Sequence, residues 1–179
     1  VLDLSDELQS RMSVVNVVED LSLPASVQTV YVAQDTLNMP HLVALDDDTL
    51  WNVYIRGTRQ LYANRVGTPP EQDRRLKQLS EGVEFAGIDV LSLGGQVLVV
   101  WGVRDVNSPV LLKIQYLLFD KDEIGSVEVI AGSEGGTAPA AAMGHAGNIL
   151  IAYLSSANEV SYQLFDNDLA PRSEERRVG

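Results

Sequence analysis

Three stretches of this chain can be laid over one another without gaps, and that repetition limits the fold more than any single motif does. They are Pro40–Tyr54 (PHLVALDDDTLWNVY), Gly87–Trp101 (GIDVLSLGGQVLVVW) and Pro139–Tyr153 (PAAAMGHAGNILIAY). Each has a short apolar run, a turn rich in Asp or Gly, and a second apolar run that ends on an aromatic. Tyr54, Trp101 and Tyr153 fall in one column, 47 and then 52 residues apart.

The second half of the unit repeats as well. Ile114–Asp120 (IQYLLFD) matches Val160–Asp166 (VSYQLFD), with a weaker copy at Leu61–Val66. Upstream, Val14–Asp20 followed by Ser26 and Val27 mirrors Ile114–Asp120 followed by Ser126 and Val127, so part of an earlier unit is present. Short runs rich in Val, Ile, Leu, Tyr and Trp, broken by Gly, Asp, Asn and Pro, are strand signals. They predict strands at 42–45, 50–55, 60–66 and 74–79, then at 89–93, 97–103, 110–119 and 126–131. A third set follows at 139–143, 149–154 and 159–165, and 26–33 ends the earlier unit. Only Asp6–Met12 and Arg74–Leu79 leave room for a turn of helix.

Four strands in about 40–50 residues, repeated, is the arithmetic of a β-propeller blade. A β-sandwich also spaces strands evenly, but it gives no reason to repeat one turn and one aromatic column three times. The expectation is an all-β, partial β-propeller of four-stranded antiparallel blades. Its units are a partial blade at 1–34, blades at 38–80 and 86–131, and a partial blade at 138–169. Near-continuous apolar runs such as VLVVW and ILIAY suit strands covered on both faces. Tyr54, Trp101, Tyr153 and Trp51 are accordingly expected in the core between blades rather than as sugar-stacking platforms.

Composition narrows the partners. The net charge is −12, which repels nucleic acid and anionic membranes, since both need a basic footprint. No apolar run approaches the ~18 residues that would insert into a bilayer. With 45% hydrophobic residues the chain can bury a core. There is no cysteine, hence no disulfide, thiol nucleophile or Cys-based metal site.

The chain resembles β-propellers as a class, with a degenerate, sialidase-like flavour: an aromatic-ended strand precedes a strand ending in Phe-Asp, as at Phe119–Asp120 and Phe165–Asp166. The sialidase Asp box, the WD40 dipeptides and the calcium pattern of integrin-like propellers are all missing from the sequence. The last eight residues, Arg172–Gly179 (RSEERRVG), resemble the translation of a sequencing adapter. They are expected to be a non-native tail that forms no strand, leaving the edge at Tyr162–Phe165 open to self-association.

Candidate chemistry is sparse. Asp46-Asp47-Asp48, Asp120 with Asp122, and Asp166 with Asp168 suit oxygen-bound cations, but turn chemistry explains them, because Asp side chains bond nearby amides there. The two histidines, His41 and His145, lie at opposite ends of their strands, which argues against a shared metal or a triad. Gly132–Gly136 lacks the lysine and helix of a phosphate loop and is a connector between blades. No catalytic residue, metal or cofactor is assigned. The loops joining second to third strands emerge on one face and carry Arg56, Arg59, Arg104, Asp105, Asn107 and Asn158. Arginine reads carboxylates bidentately while Asn bonds hydroxyls, a set suited to an anionic glycan or a protein ligand.

Two functions follow. One is a non-enzymatic binding or structural module of a larger extracellular or virion-associated protein, such as a phage tail protein, partnered by the remaining blades of its own chain. The alternative is a propeller carbohydrate-active enzyme, a glycosidase or lyase, whose catalytic carboxylates lie partly in other blades; glycosidases need two opposed carboxylates.

Overall fold

The computed structural model describes residues 10–16, 26–33, 37–47, 49–108, 113–144, 147–172 and 176–178. The chain is an all-β, partial β-propeller. Strands β1 (Ser10–Asn16) and β2 (Ser26–Ala33) form a two-stranded antiparallel sheet. The first blade holds β3 (Leu37–Ala44), β4 (Leu50–Arg56), β5 (Gln60–Arg65) and β6 (Arg74–Gln78), in that spatial order. The second holds β7 (Val83–Leu93), β8 (Gln96–Asp105), β9 (Gln115–Phe119) and β10 (Glu128–Val129). The third holds β11 (Thr137–Met143), β12 (Ile149–Leu154), β13 (Val160–Phe165) and β14 (Arg176–Val178). Every pairing is antiparallel. A 3-10 turn lies at Pro70–Gln72.

Three local expectations are corrected. Ser10–Met12 belongs to β1 and Arg74–Gln78 to β6, so neither is helical; residues 6–9 lie outside the described residues. The first strands begin earlier than the apolar runs suggest, because ladder pairing continues through polar residues to Leu37 and Val83. The tail does pair: Arg176–Val178 sits beside Val160–Tyr162 as the outermost strand, and the Arg172 amide donates to Leu164 O at 2.8 Å. Edge pairing is made by backbone N–H and C=O groups, which every residue of Arg176–Val178 carries. Residues 173–175 and 179 lie outside the described residues.

Burial explains the apolar strands. In β8, Val97, Val99, Trp101 and Val103 face the first blade, where they meet Trp51, Val53 and Ile55 of β4. The alternate residues Leu98 and Val100 face the third blade, against Ile149, Ile151 and Tyr153. All five residues from Val97 to Trp101 are 0% exposed. A strand covered on both faces has no use for polar alternation. Edge-to-face aromatic pairs cross both interfaces, Trp51 with Phe119 at 5.3 Å and Tyr116 with Phe165 at 6.0 Å. The aromatic column of Tyr54, Trp101 and Tyr153 is buried in all three second strands.

The connector Gly132–Gly136 is packed rather than open. Ser133 Oγ accepts the Ile114 amide at 3.0 Å and donates to Ile130 O at 2.6 Å. A Cβ at Gly136 would come within 3.0 Å of Tyr153, Ile114 and Ser133 O, so only glycine fits that crossing.

Candidate functional site on the axial wall

Strands β3, β7 and β11 adjoin one another and are the innermost strand of each blade, so they line the propeller axis. Their registers reveal an equivalence that the ungapped sequence repeat hides. His41 lies opposite Val53, Asp89 opposite Val100, and Ala140 opposite Ala152. Those three partners share one column of the second strands, so His41, Asp89 and Ala140 share one level of the axial wall. The ungapped alignment pairs His41 with Ile88 instead. The turn of the second blade is one residue shorter than the others, which moves its first strand by one position.

A bulge precedes this level in every blade. The register shifts between Asn38 and His41, between Phe85 and Gly87, and between Thr137 and Ala140. Two residues before the shared level, Met39, Gly87 and Ala138 all have positive φ, at 51°, 147° and 47°. Glycine carries this conformation freely, whereas Met39 and Ala138 carry it at a steric cost. Such bulges re-aim the side chains that follow them. Here they precede the residues that reach from blade to blade.

His41 points toward the second blade, on the same side of β3 as the core residue Val43. Its Nδ1 lies 3.6 Å from Asp89 Oδ1, with the two side chains 30% and 27% exposed. Asp89 in turn reaches the third blade: its Oδ2 accepts the Ala141 amide at 2.8 Å, while Oδ1 accepts its neighbour's Val90 amide at 2.9 Å. One carboxylate thus joins three innermost strands and stays part-exposed to the axis. Chemically, Asp89 offers a hydrogen-bond acceptor facing the axis, and His41 a second polar contact. The sequence signal for Asp89, a lone Asp in the apolar run IDVLSL, gave no reason to choose it over a turn residue.

The loop residues read from the sequence share the end of the molecule where the innermost strands begin, since Leu37 pairs with Arg56 and Glu84 with Arg104. They do not form one cluster. Arg56 is committed inside the first blade: its guanidinium donates to Asp73 Oδ2 at 2.8 Å and lies 4.4 Å from the Tyr62 ring centre. Asp105 accepts the Asn107 amide at 2.9 Å, and Asn158 holds a left-handed turn position with φ 59°. Arg104 donates from Nε and Nη2 to Glu84 Oε2, at 3.3 and 2.9 Å. Arg59 sits on the neighbouring turn, which is pinned to β7 by the Phe85 amide donating to Thr58 O at 3.0 Å.

The Asp turns follow backbone capping. Asp47 accepts the Thr49 amide at 3.0 Å. Asp120 accepts the amides of Asp122 and Glu123, both at 2.8 Å, and Asp166 those of Asp168 and Ala170. Asp48 and His145 lie outside the described residues. Among the described residues no three His, Asp or Glu side chains gather to hold a metal ion.

These contacts carry a pH consequence. The Arg104 hydrogen bond, followed by the Thr58 hydroxyl, holds the Glu84 carboxyl below its ordinary 4.5. Amide donors do the same for Asp120, Lys113 for Glu134 and Thr49 for Asp47. Groups with depressed folded values stabilise the fold fully above their unfolded values and lose that contribution as pH falls through the folded ones. The melting temperature is therefore expected to be level above about pH 5 and to decline below it. A melt series in which stability rose on acidification would contradict these four assignments.

No family model matches the sequence, and no curated protein matches it. Solved structures match in fold. The GH43_1 enzyme from Xanthomonas citri complexed with xylotriose is 13% identical with a TM-score of 0.52, covering 78% of this chain and 54% of that one. A second structure of the GH43_1 enzyme from that organism gives 13% and 0.52, covering 80% and 56%. An endo-1,4-beta-xylanase from Bacteroides thetaiotaomicron gives 12% and 0.51, covering 93% of this chain and 74% of that one. The chain spans little more than half the length of the two Xanthomonas citri structures. At this identity the likeness is one of fold.

Proposed function

We propose that this chain is part of a carbohydrate-active propeller that binds a saccharide along its axial wall, with Asp89 as the carboxylate it contributes. The carrying observation is the axial pair: His41 and Asp89 occupy equivalent bulge-supported levels of adjacent innermost strands and meet at 3.6 Å. The likeness in fold to xylan-directed enzymes supports the ligand class. It favours the carbohydrate-active reading over a purely structural module.

Turnover needs a second carboxylate about 5–10 Å from the first. Among the described innermost strands the only other one is Glu84, four ladder positions along the same strand across its bulge and so about 13 Å away at ~3.3 Å per residue. The partner carboxylate would come from blades beyond these. That single axial carboxylate favours, as a second reading, saccharide binding without turnover by this chain on its own.

Calorimetric titration with xylotriose tests the proposal. The protein is expected to bind the trisaccharide, and Asp89→Asn to weaken binding about tenfold. A hydrogen bond to a charged group contributes about 1.5–3 kcal/mol, and 1.4 kcal/mol is tenfold. The Asn side chain keeps an acceptor for the Ala141 amide, so the melting temperature serves as a control. An unchanged affinity in Asp89→Asn would remove Asp89 from the site.

A further inference from the structure

The rim above the axial wall carries two of the chain's arginines among the carboxylates of Glu81, Glu84 and Asp105. In a chain of net charge −12, Arg104 pairs with Glu84 where β7 begins, and Arg59 lies on the neighbouring turn, which is pinned to β7 through Thr58 and Phe85. Arg104 takes only one oxygen of Glu84, with both of its bonds ending on Oε2. Its side chain is 57% exposed whereas that of Glu84 is 22% exposed. Arg59 is exposed and adds a smaller attraction on the same carboxylate. Its backbone is anchored through Arg59 O, which accepts the Leu79 amide at 2.9 Å. The nearby Asp105 carboxylate is turned onto the Asn107 amide, and Glu81 is exposed on the preceding turn.

The Arg104 guanidinium thus rests on a single carboxylate oxygen and, 57% exposed, presents unused N–H donors to solvent beside the Arg59 turn. A guanidinium fork matches a carboxylate in plane and spacing, which a hydroxyl does not. The rim is also placed to extend the axial site. Glu84 and Asp89 lie on one bulged strand, four ladder positions and so about 13 Å apart at ~3.3 Å per residue. A ligand touching both ends is an oligosaccharide rather than a single ring.

We infer that Arg104 and Arg59 form an acidic-sugar subsite, so that the saccharide on the axial wall is an oligosaccharide carrying a uronic acid at the rim end. This rests on the reading of the axial wall as a saccharide site and specifies its substrate class. Asp89 and His41 hold the neutral part of the chain. The arginines select the acidic unit.

The test compares two probes on the same protein: xylotriose, and xylotriose bearing one glucuronic acid branch. The acidic probe is expected to bind at least about tenfold more tightly, the scale of one added charge-assisted hydrogen bond. The advantage should shrink in 0.5 M salt, since exposed charges are screened. Arg104→Gln and Arg59→Gln are each expected to bring the acidic probe down toward the neutral one while leaving xylotriose affinity unchanged. Equal affinity for both probes, or variants that weaken both alike, overturns the subsite and leaves the axial reading standing. Failure of both probes to bind overturns both readings.

Discussion

Trp101→Ala is expected to lower folding stability by about 3–5 kcal/mol, the range for deleting a large core aromatic. Trp101 is 0% exposed and sits in the second strand of the blade that is covered on both sides. Its ring meets Phe85 edge-on at 6.3 Å, and it packs in the cluster shared with Trp51 and Val53 of the first blade. The indole Nε1 donates to Gln115 Oε1 at 3.1 Å, so truncation leaves both a cavity and an acceptor without its donor. Neighbours on two different blades line that cavity, which limits how far it can collapse. Denaturant titration at constant slope measures the loss. A value under about 1 kcal/mol would show that the blades do not unfold as one unit.

The same residue shows why the architecture was legible in the sequence. Burial on both faces removes the need for polar alternation, so β8 and β12 appear as apolar runs closed by an aromatic. The turns between them appear as Asp and Gly because tight connections need side chains that cap amides or glycines that tolerate positive φ. Those two signals suffice for strand number, blade length and the buried column of Tyr54, Trp101 and Tyr153.

The axial site was not legible, for a reason of register. His41 and Asp89 are structurally equivalent only because the turn after β7 is one residue shorter, and one bulge per blade then resets the pairing. Neither feature changes residue type in a way that a pattern of apolar positions records. Met39 and Ala138 hold positive φ where a sequence reading expects glycine, and Gly87 is the only one of the three that announces the conformation. The tail failed for a related reason. Pairing at a sheet edge is a property of the backbone, so the charges of RSEERRVG said nothing about whether Arg176–Val178 would pair.

Arg56 belongs to a different class of miss, and it leads to the second large expected effect. The sequence places it, as a candidate recognition residue, on the loop after the second strand. Instead it is the cation of a buried polar cluster on the face of the first blade opposite Trp51, Val53 and Ile55. Asp73, with a side chain only 3% exposed, accepts from Arg56 Nη2 at 2.8 Å, from Asn64 Nδ2 at 2.7 Å and from the Tyr54 hydroxyl. Tyr54 and Tyr62 stack at 6.0 Å, and the Arg56 guanidinium lies over the Tyr62 ring. Asp73 follows the short 3-10 turn at Pro70–Gln72 and precedes β6, a position that reads as an ordinary loop aspartate.

Breaking such a pair by removing one partner is costly, because the remaining charge and donors stay desolvated. The expected loss for Asp73→Ala is about 3–5 kcal/mol. Asp73→Asn keeps the shape and one acceptor, so it is expected to cost less than the Ala variant. That ordering separates the loss of charge from the loss of packing. Screening offers a further check: a surface ion pair weakens with salt, whereas a buried one is much less affected. Urea titrations of the native protein and both variants, at low salt and in 0.5 M salt, measure all three quantities. A loss under about 1 kcal/mol for Asp73→Ala, the scale of an exposed ion pair, would place Arg56 back at the surface and return it to the rim beside Arg59 and Arg104.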